Sequence, residues 1–164
     1  MAVLEIRKFG DPVLREKTFP IEKIDQEVKK LAKNLIDTLH NAPGMGLAAP
    51  QIGILKRVIV SDLGDGPSVY INPQIIWRSK ETEVQEEGCL SLPGVRILIS
   101  RPQKIKVKAL SPQGKGLELS MEGLQARIIQ HEVDHLDGIL ILDRASKSER
   151  QKALQQISQY IRIQ

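Results

Sequence analysis

One cysteine, Cys89, stands in 164 residues, so no disulfide can form within the chain. A lone thiol suits a reducing compartment and leaves the sulfur free for metal or redox chemistry. Aromatic residues amount to only 3%, which leaves the core to aliphatic side chains and argues against a stacking platform for single-stranded nucleic acid. No apolar run approaches the length needed to cross a bilayer. The opening "MAVLEIRKFGDPVLREK" has neither an apolar signal segment nor Arg/Ser-rich transit character. The expected location is the cytoplasm of a bacterium, with no membrane and no DNA partner. A net charge of +4 is a modest excess, more typical of a solvated surface than of a nucleic-acid footprint. With 41% hydrophobic and 27% charged residues, residues 1–164 are expected to fold as one domain with a real core.

The local patterns predict an α+β fold. Asp11-Pro12 reads as a turn opening a short helix or ordered loop. From Ile21 to His40, Ile24, Val28, Leu31, Leu35 and Leu39 recur at steps of four and three, the stripe of an amphipathic helix. Pro43 and two glycines in "NAPGMG" end it. Short β-rich runs follow: "RVIVSDL", "SVYINPQII", "RILIS", "KIKVKAL" and "LELSM". In "KIKVKAL", Ile105, Val107 and Ala109 alternate with three lysines, as an antiparallel strand with one wet face requires. "GLQARIIQHEVDHLDG" returns to helical period, with Ser120 as the expected cap and Gly138 as the stop. "GILIL" reads as strand-like. The tail, with a Ser146/Glu149 capping box and Leu154, Ile157 and Ile161 on one side, reads as a terminal helix. Strands cluster rather than alternate with helices, which favours antiparallel or mixed sheets around a central helix.

Two of the three histidines fall in "QHEVDHLDG", Gln130 to Gly138. Residues four apart on a helix lie one turn above each other, so His131 and His135 can aim two imidazoles at one ion. Glu132 sits about 100° further round, close enough to touch water at the ion but badly placed to bind it. Both histidines lie on the apolar stripe, where buried imidazoles need partners. A cation satisfies two at once.

The third ligand separates the enzyme classes. The position where one protease class carries a third histidine holds Ile141, and the only downstream glutamate, Glu149, reads as a capping residue. Upstream, "EEGCLSLPG" places Cys89 in a Gly/Pro-bounded polar segment that reads as a loop. Thiolate is a strong ligand for first-row divalent metals. Cys89, His131 and His135 would give three ligands and leave one position open, the arrangement of a catalytic site. The rival readings are a metal-dependent endopeptidase, which needs a ligand beyond His135, and a metal-stabilised binding domain, which needs His40 or a carboxylate to close the site.

"GMGLAAPQ", Gly44 to Gln51, lacks both a phosphate-binding and a dinucleotide-binding pattern. Its glycines suit a backbone that closely approaches an extended substrate, and the Gln51 amide can donate to a developing oxyanion. "GMGLAAPQ", "EGCLS" and "QHEVDHLDG", in this order and at these separations, resemble the three signature motifs of the peptide deformylases, and the likeness covers nearly the whole chain.

That resemblance implies a compact α+β fold and hydrolysis of the N-formyl group from the initiator methionine of nascent chains. It makes Cys89, His131 and His135 the metal ligands and Glu132 the acid/base. Gln51 and the backbone N–H of Leu90 become the oxyanion donors. Gly44 and Gly46 would flank the substrate backbone, with Met45, Leu124 and Ile128 as walls of the methionine pocket. Glu87 and Arg96 match positions that in the family can form a supporting ion pair, and Glu87 is counted with the substrate-binding residues. Arg127 stands where some members have an apolar residue. Fe²⁺ is the implied metal, with Zn²⁺, Ni²⁺ or Co²⁺ as substitutes. Because the family acts on chains leaving the ribosome, Lys147, Arg150, Lys152 and Arg162 of the tail are candidate ribosome contacts.

Overall fold

The first long helix, α1 (Gln26–His40), buries Val28, Leu31, Ala32, Leu35 and Leu39 along one stripe. It starts later than the apolar period suggests. Asp25 accepts a hydrogen bond from the Val28 N–H at 3.1 Å and caps it there. Ile21 and Ile24 precede the helix yet still pack against the same cluster. The computed structural model describes the backbone of residues 2–163 and the side chains of residues 2–160.

Seven strands follow in chain order: β1 (Gly46–Ala48), β2 (Val58–Ser61), β3 (Ser68–Arg78), β4 (Thr82–Cys89), β5 (Leu92–Pro102), β6 (Lys104–Leu110) and β7 (Gly116–Glu122). They form an antiparallel five-stranded sheet, ordered β1-β2-β3-β6-β7, and a separate β4-β5 hairpin inserted between β3 and β6. Within "GMGLAAPQ", β1 is followed by a 3-10 turn at Ala49–Ile52. One sequence expectation changes here: Cys89 ends β4 rather than standing in a loop. Pro73 is tolerated within β3 because the ladder to β6 shifts register between Ile71 and Gln74, where no N–H is demanded of it.

Helix α2 (Gly123–Leu136) lies against one face of the large sheet, where Ala126, Ile129, Val133 and Leu136 meet Ile59, Tyr70, Ile105 and Val107. Helix α1 covers the opposite face of its β1-β2 end through Val58, Val60 and Leu47. Strand β2 is therefore buried on both sides, which explains why "VIVS" reads as an unbroken apolar run. In β6, Ile105, Val107 and Ala109 point inward and the three lysines outward, as the alternation predicts.

The cap of α2 is Glu122, not Ser120, which lies within β7 opposite Lys106. At its other end the Gly138 N–H bonds the His135 carbonyl and the Ile139 N–H bonds that of Asp134, with Gly138 at φ 73°. A Cβ there would lie 2.5 Å from the Arg15 carbonyl oxygen, so glycine is required twice over.

"GILIL" is not a strand. Asp143 accepts from the Leu140 N–H at 2.8 Å and opens the short helix α3 (Ile141–Arg144), which buries Ile141 and Leu142 against β5. Helix α4 (Lys147–Ile163) docks on β5 through Ala153 and Ile157, while Leu154 is 44% exposed, so the buried stripe is rotated from the expected one. Ser146 caps the Glu149 N–H, but the Glu149 carboxylate reaches the Leu98 N–H instead of closing a capping box. The side chains of Ile161 and Arg162 lie outside the described residues.

Candidate metal centre

Strand β4 and helix α2 build the centre together. Alternate residues of a strand share a face, so Glu87 and Cys89 both look toward α2, and the ladder to β5 shifts register between them. On α2, His131 and His135 stand one turn apart. The structure brings the Cys89 Sγ and the two imidazoles together, with one donor atom from each within 4.8 Å of the others. Cys89 Sγ lies 3.4 Å from His135 Nε2, which lies 3.2 Å from His131 Nε2. These are the edge lengths of a tetrahedral set of sulfur and nitrogen ligands with bonds of about 2.0–2.3 Å. The donor set fits a first-row divalent cation.

The surroundings prepare the ligands for such an ion. His131 Nδ1 lies 3.0 Å from Glu87 Oε1, which turns Nε2 of that ring toward His135 and Cys89. Burial alone would lower the His131 pKa, but Glu132, Cys89 and Glu87 together hold it well above the usual value. The ionised Glu87 carboxylate beside His131 favours a cation between the three donors. His135 is 1% exposed, and burial, with His131 and Arg101 nearby, drives its pKa well down. Its Nδ1 finds no partner among the described residues.

Glu87 does not pair with Arg96. Its carboxylate is 5% exposed and fully engaged: His131 and Arg101 Nη2 on Oε1, Arg101 Nε and Arg127 Nη1 (both at 2.6 Å) on Oε2. Despite burial, which raises a carboxyl, these partners pull its pKa down to about 2. Arg96 lies on the outer face of β5 and approaches Glu86 at 3.8 Å, exposed. Arg101 continues through Asp134, which also binds Arg144. Arg127 additionally donates to the Ile99 and Glu83 carbonyls. The sequence reading missed Arg101, Asp134 and Arg144. Strand parity was the available signal: Val95, Ile97 and Ile99 face inward, so Arg101 does too.

Glu132 is 4% exposed, and its Oε1 is buried without a partner among the described residues. Burial pushes its pKa up to about 7 against the pull of His131, which suits a group that must both take and give a proton at neutral pH. Gly46 passes directly over it: a Cβ there would lie 2.6 Å from Glu132 Oε2 and 2.9 Å from an Ile128 methyl. Gln51, 1% exposed, accepts from the Ala48 N–H at 2.9 Å and donates to Ser91 Oγ at 3.1 Å, with its Nε2 3.8 Å from the Cys89 sulfur.

These groups open on a cavity of about 670 Å³ whose walls include Gly44, Met45, Leu90, Leu124 and Ile128. Met45 and Leu124 are exposed at its mouth, and a Cβ on Gly44 would meet Leu90 at 2.8 Å. His40 is bound to Asp62 at the surface, and Glu149 is engaged at β5, so neither is offered as a fourth ligand. Among the described residues the converging donors are Cys89, His131 and His135 alone, so neither rival reading finds its further ligand there.

Residues 3–151 match the family model described as polypeptide deformylase. The chain is 50% identical to a peptide deformylase of Clostridium botulinum over 147 residues, covering 90% of this chain and 99% of the relative. The fold matches the crystal structure of a peptide deformylase from Legionella pneumophila with a TM-score of 0.93 at 37% identity, over 99% of this chain and 97% of that one. It matches one from Synechococcus elongatus, solved in complex with actinonin, with a TM-score of 0.90 at 40% identity, over 94% and 86%.

Proposed function

Since the chain belongs to the polypeptide deformylase family, whose members remove the N-formyl group from the initiator methionine of newly synthesised polypeptides, we propose that Cys89, His131 and His135 hold the metal of that reaction and that Glu132 moves its protons. The protein is a metal-dependent hydrolase of a linear amide, and formate is its small product. One observation carries the residue assignment. Three ligand atoms converge within 4.8 Å beside a buried carboxyl whose Oε1 has no partner.

A divalent cation bound there supplies Lewis acidity and lowers the pKa of water toward about 7. The chain supplies the rest. Glu132 accepts the proton of the attacking water and passes it to the departing amine. The Gln51 amide and the Leu90 N–H donate to the oxygen that turns negative, each such donor being worth about 3 kcal/mol in the transition state. Gly44 and Gly46 let an extended peptide lie close along the β1 edge, and Met45, Leu124 and Ile128 wall the methionine side chain. Glu87 holds His131 rather than the substrate.

We take Fe²⁺ as the native metal, as the family resemblance implies, with Zn²⁺, Ni²⁺ or Co²⁺ as substitutes, since a thiolate with two imidazoles suits all four. Residues 1–164 act as one catalytic domain. No helix among the described residues is long and apolar enough to cross a membrane, and cytoplasmic action on nascent chains is consistent with that. Lys147 and Lys152 are exposed on α4, as is Arg150, although its Nε donates to the Leu142 carbonyl. These cations are the proposed ribosome contact. The reading is tested by formate release from formyl-Met-Ala-Ser, with iron retained under anaerobic conditions. Intact, iron-loaded protein that released none would overturn it.

A further inference from the structure

We infer that Ser91 is a positioning residue of the reaction: its hydroxyl holds the Gln51 carboxamide so that one N–H stays aimed at the reacting oxygen. The inference rests on the reading of Gln51 as an oxyanion donor. Ser91 closes the "EGCLS" stretch and is fully buried at 0% exposure, yet no step above uses it.

A carboxamide has two ends of nearly equal size, and only one of them donates. In Gln51 the Ala48 N–H, which can only donate, meets Oε1 at 2.9 Å and so fixes which end is oxygen. Nε2 then carries two protons. One goes to Ser91 Oγ at 3.1 Å. The other side of the amide looks toward the Cys89 sulfur at 3.8 Å, a long contact that a substrate oxygen can replace. Without Ser91 only the Ala48 N–H on Oε1 still holds the amide, and the Nε2 end is less firmly fixed about its last torsion.

The backbones that carry the two side chains are pinned by a single strap. The Arg7 N–H donates to the Gln51 carbonyl at 2.7 Å and the Phe9 N–H to the Ser91 carbonyl at 2.8 Å. Residues 7–9 thus tie the first signature stretch to the second, and the hydroxyl–amide bond spans the short gap between them. This is preorganisation: a donor held in place before charge develops loses nothing to reorientation when it does.

A double-mutant cycle on the metal-loaded enzyme tests this, with metal content and Tm measured for each variant. Removing one oxyanion donor costs about 100-fold in kcat, which sets the expectation for Gln51→Ala, and a misaimed donor costs about tenfold, which sets it for Ser91→Ala with KM within about twofold. In the Gln51→Ala background, Ser91→Ala should cost nothing further, because the hydroxyl then has nothing to aim. A merely structural serine would add its own loss there, and that outcome, or wild-type kcat in Ser91→Ala, overturns the inference while leaving Gln51 its role. Wild-type kcat in Gln51→Ala instead overturns the reading of Gln51 and this inference with it. A measurement on the unmutated protein stands beside these in case Ser91→Ala does not fold. In the zinc-loaded enzyme, an amide proton of Gln51 should exchange with solvent at least about tenfold more slowly than those of exposed Gln113. Equal exchange would overturn the proposal without any variant.

Discussion

Replacing Glu87 with glutamine should damage the protein in two separable ways. The carboxylate serves three cationic or donor partners: His131, Arg101 and Arg127. A glutamine of the same shape offers one accepting oxygen and presents an NH₂ group to donors that already point inward, so at least one contact becomes donor against donor. Two routes give the stability cost. A carboxyl depressed from 4.5 to about 2 contributes about 3 kcal/mol at neutral pH, and breaking a buried pair from one side costs about 3–5 kcal/mol. The two agree. For a chain of this size about 3 kcal/mol lowers Tm by roughly 6–12 °C. The second effect is on the metal: with the support of His131 weakened, affinity should fall by about 10–100-fold. Calorimetry of zinc-loaded protein and titration against a competing chelator read the two effects. The pH dependence adds a check of sign. Because the folded carboxyl lies below its unfolded value, its contribution is fully present above about 4.5 and is lost as pH falls through about 2. The Tm gap between wild type and Glu87→Gln should therefore narrow on acidification. A variant within 2 °C of wild type, on the order of the smallest shift that matters here, with unchanged metal Kd would refute the reasoning.

Four further outcomes are expected. Glu132→Gln should bind metal at one per chain yet lose most turnover, since the ligands remain and proton transfer fails; near-normal kcat would remove Glu132 from the mechanism. Gly46→Ala should push its Cβ against Glu132 Oε2 and lower kcat by about 100-fold, the cost of a misplaced catalytic group, with metal content unchanged. The iron-loaded enzyme should lose activity in air while the zinc-loaded enzyme keeps it, and mass spectrometry should find oxidised Cys89 in the former; equal decay of the two would argue against thiolate–iron ligation. The triple change Lys147→Gln, Arg150→Gln and Lys152→Gln should weaken salt-sensitive co-sedimentation with ribosomes and spare hydrolysis of a free formyl-peptide; unchanged co-sedimentation at low and moderate salt would acquit this helix.

Periodicity revealed the elements that bury one clean face. The stripe of α1 and the alternation of β6 are direct images of a wet side and a dry side, so both were legible from residue order alone. Elements whose environment is mixed were not. Strand β4 runs "TEVQEEGC", a polar string with no hydrophobic alternation, because its partner is the hairpin strand β5 and its inward side chains Glu87 and Cys89 line the proposed metal centre. Ile139 to Leu142 look like a buried strand because burial is real there, but apolar content alone cannot distinguish a strand from a helical turn pressed on β5. The decisive group is Asp143, whose carboxylate takes the Leu140 N–H and bends the chain into α3.

The proposed ligands and their supports differ in the same way. His131, Glu132 and His135 are legible because one helix sets their spacing, and Cys89 because it is the only thiol. What fixes their orientation is assembled across β4, β5, α2 and α3, and no short-range pattern records it. The resemblance put Arg96 beside Glu87, but Arg96 has the wrong parity on β5: with Ile97 and Ile99 inward it must point to solvent, and the inward cation is Arg101. A guanidinium 4% exposed would be untenable unless its charge were met on more than one side, and Glu87 and Asp134 meet it. Asp134, in turn, directly precedes His135 on α2. The two carboxylates that neutralise Arg101 thus sit beside the two histidines, one bonded to His131 and one adjacent in sequence to His135. Arg101 therefore locks β5 to the ligand helix, and any change that loosens it should disturb both imidazoles together rather than either one alone.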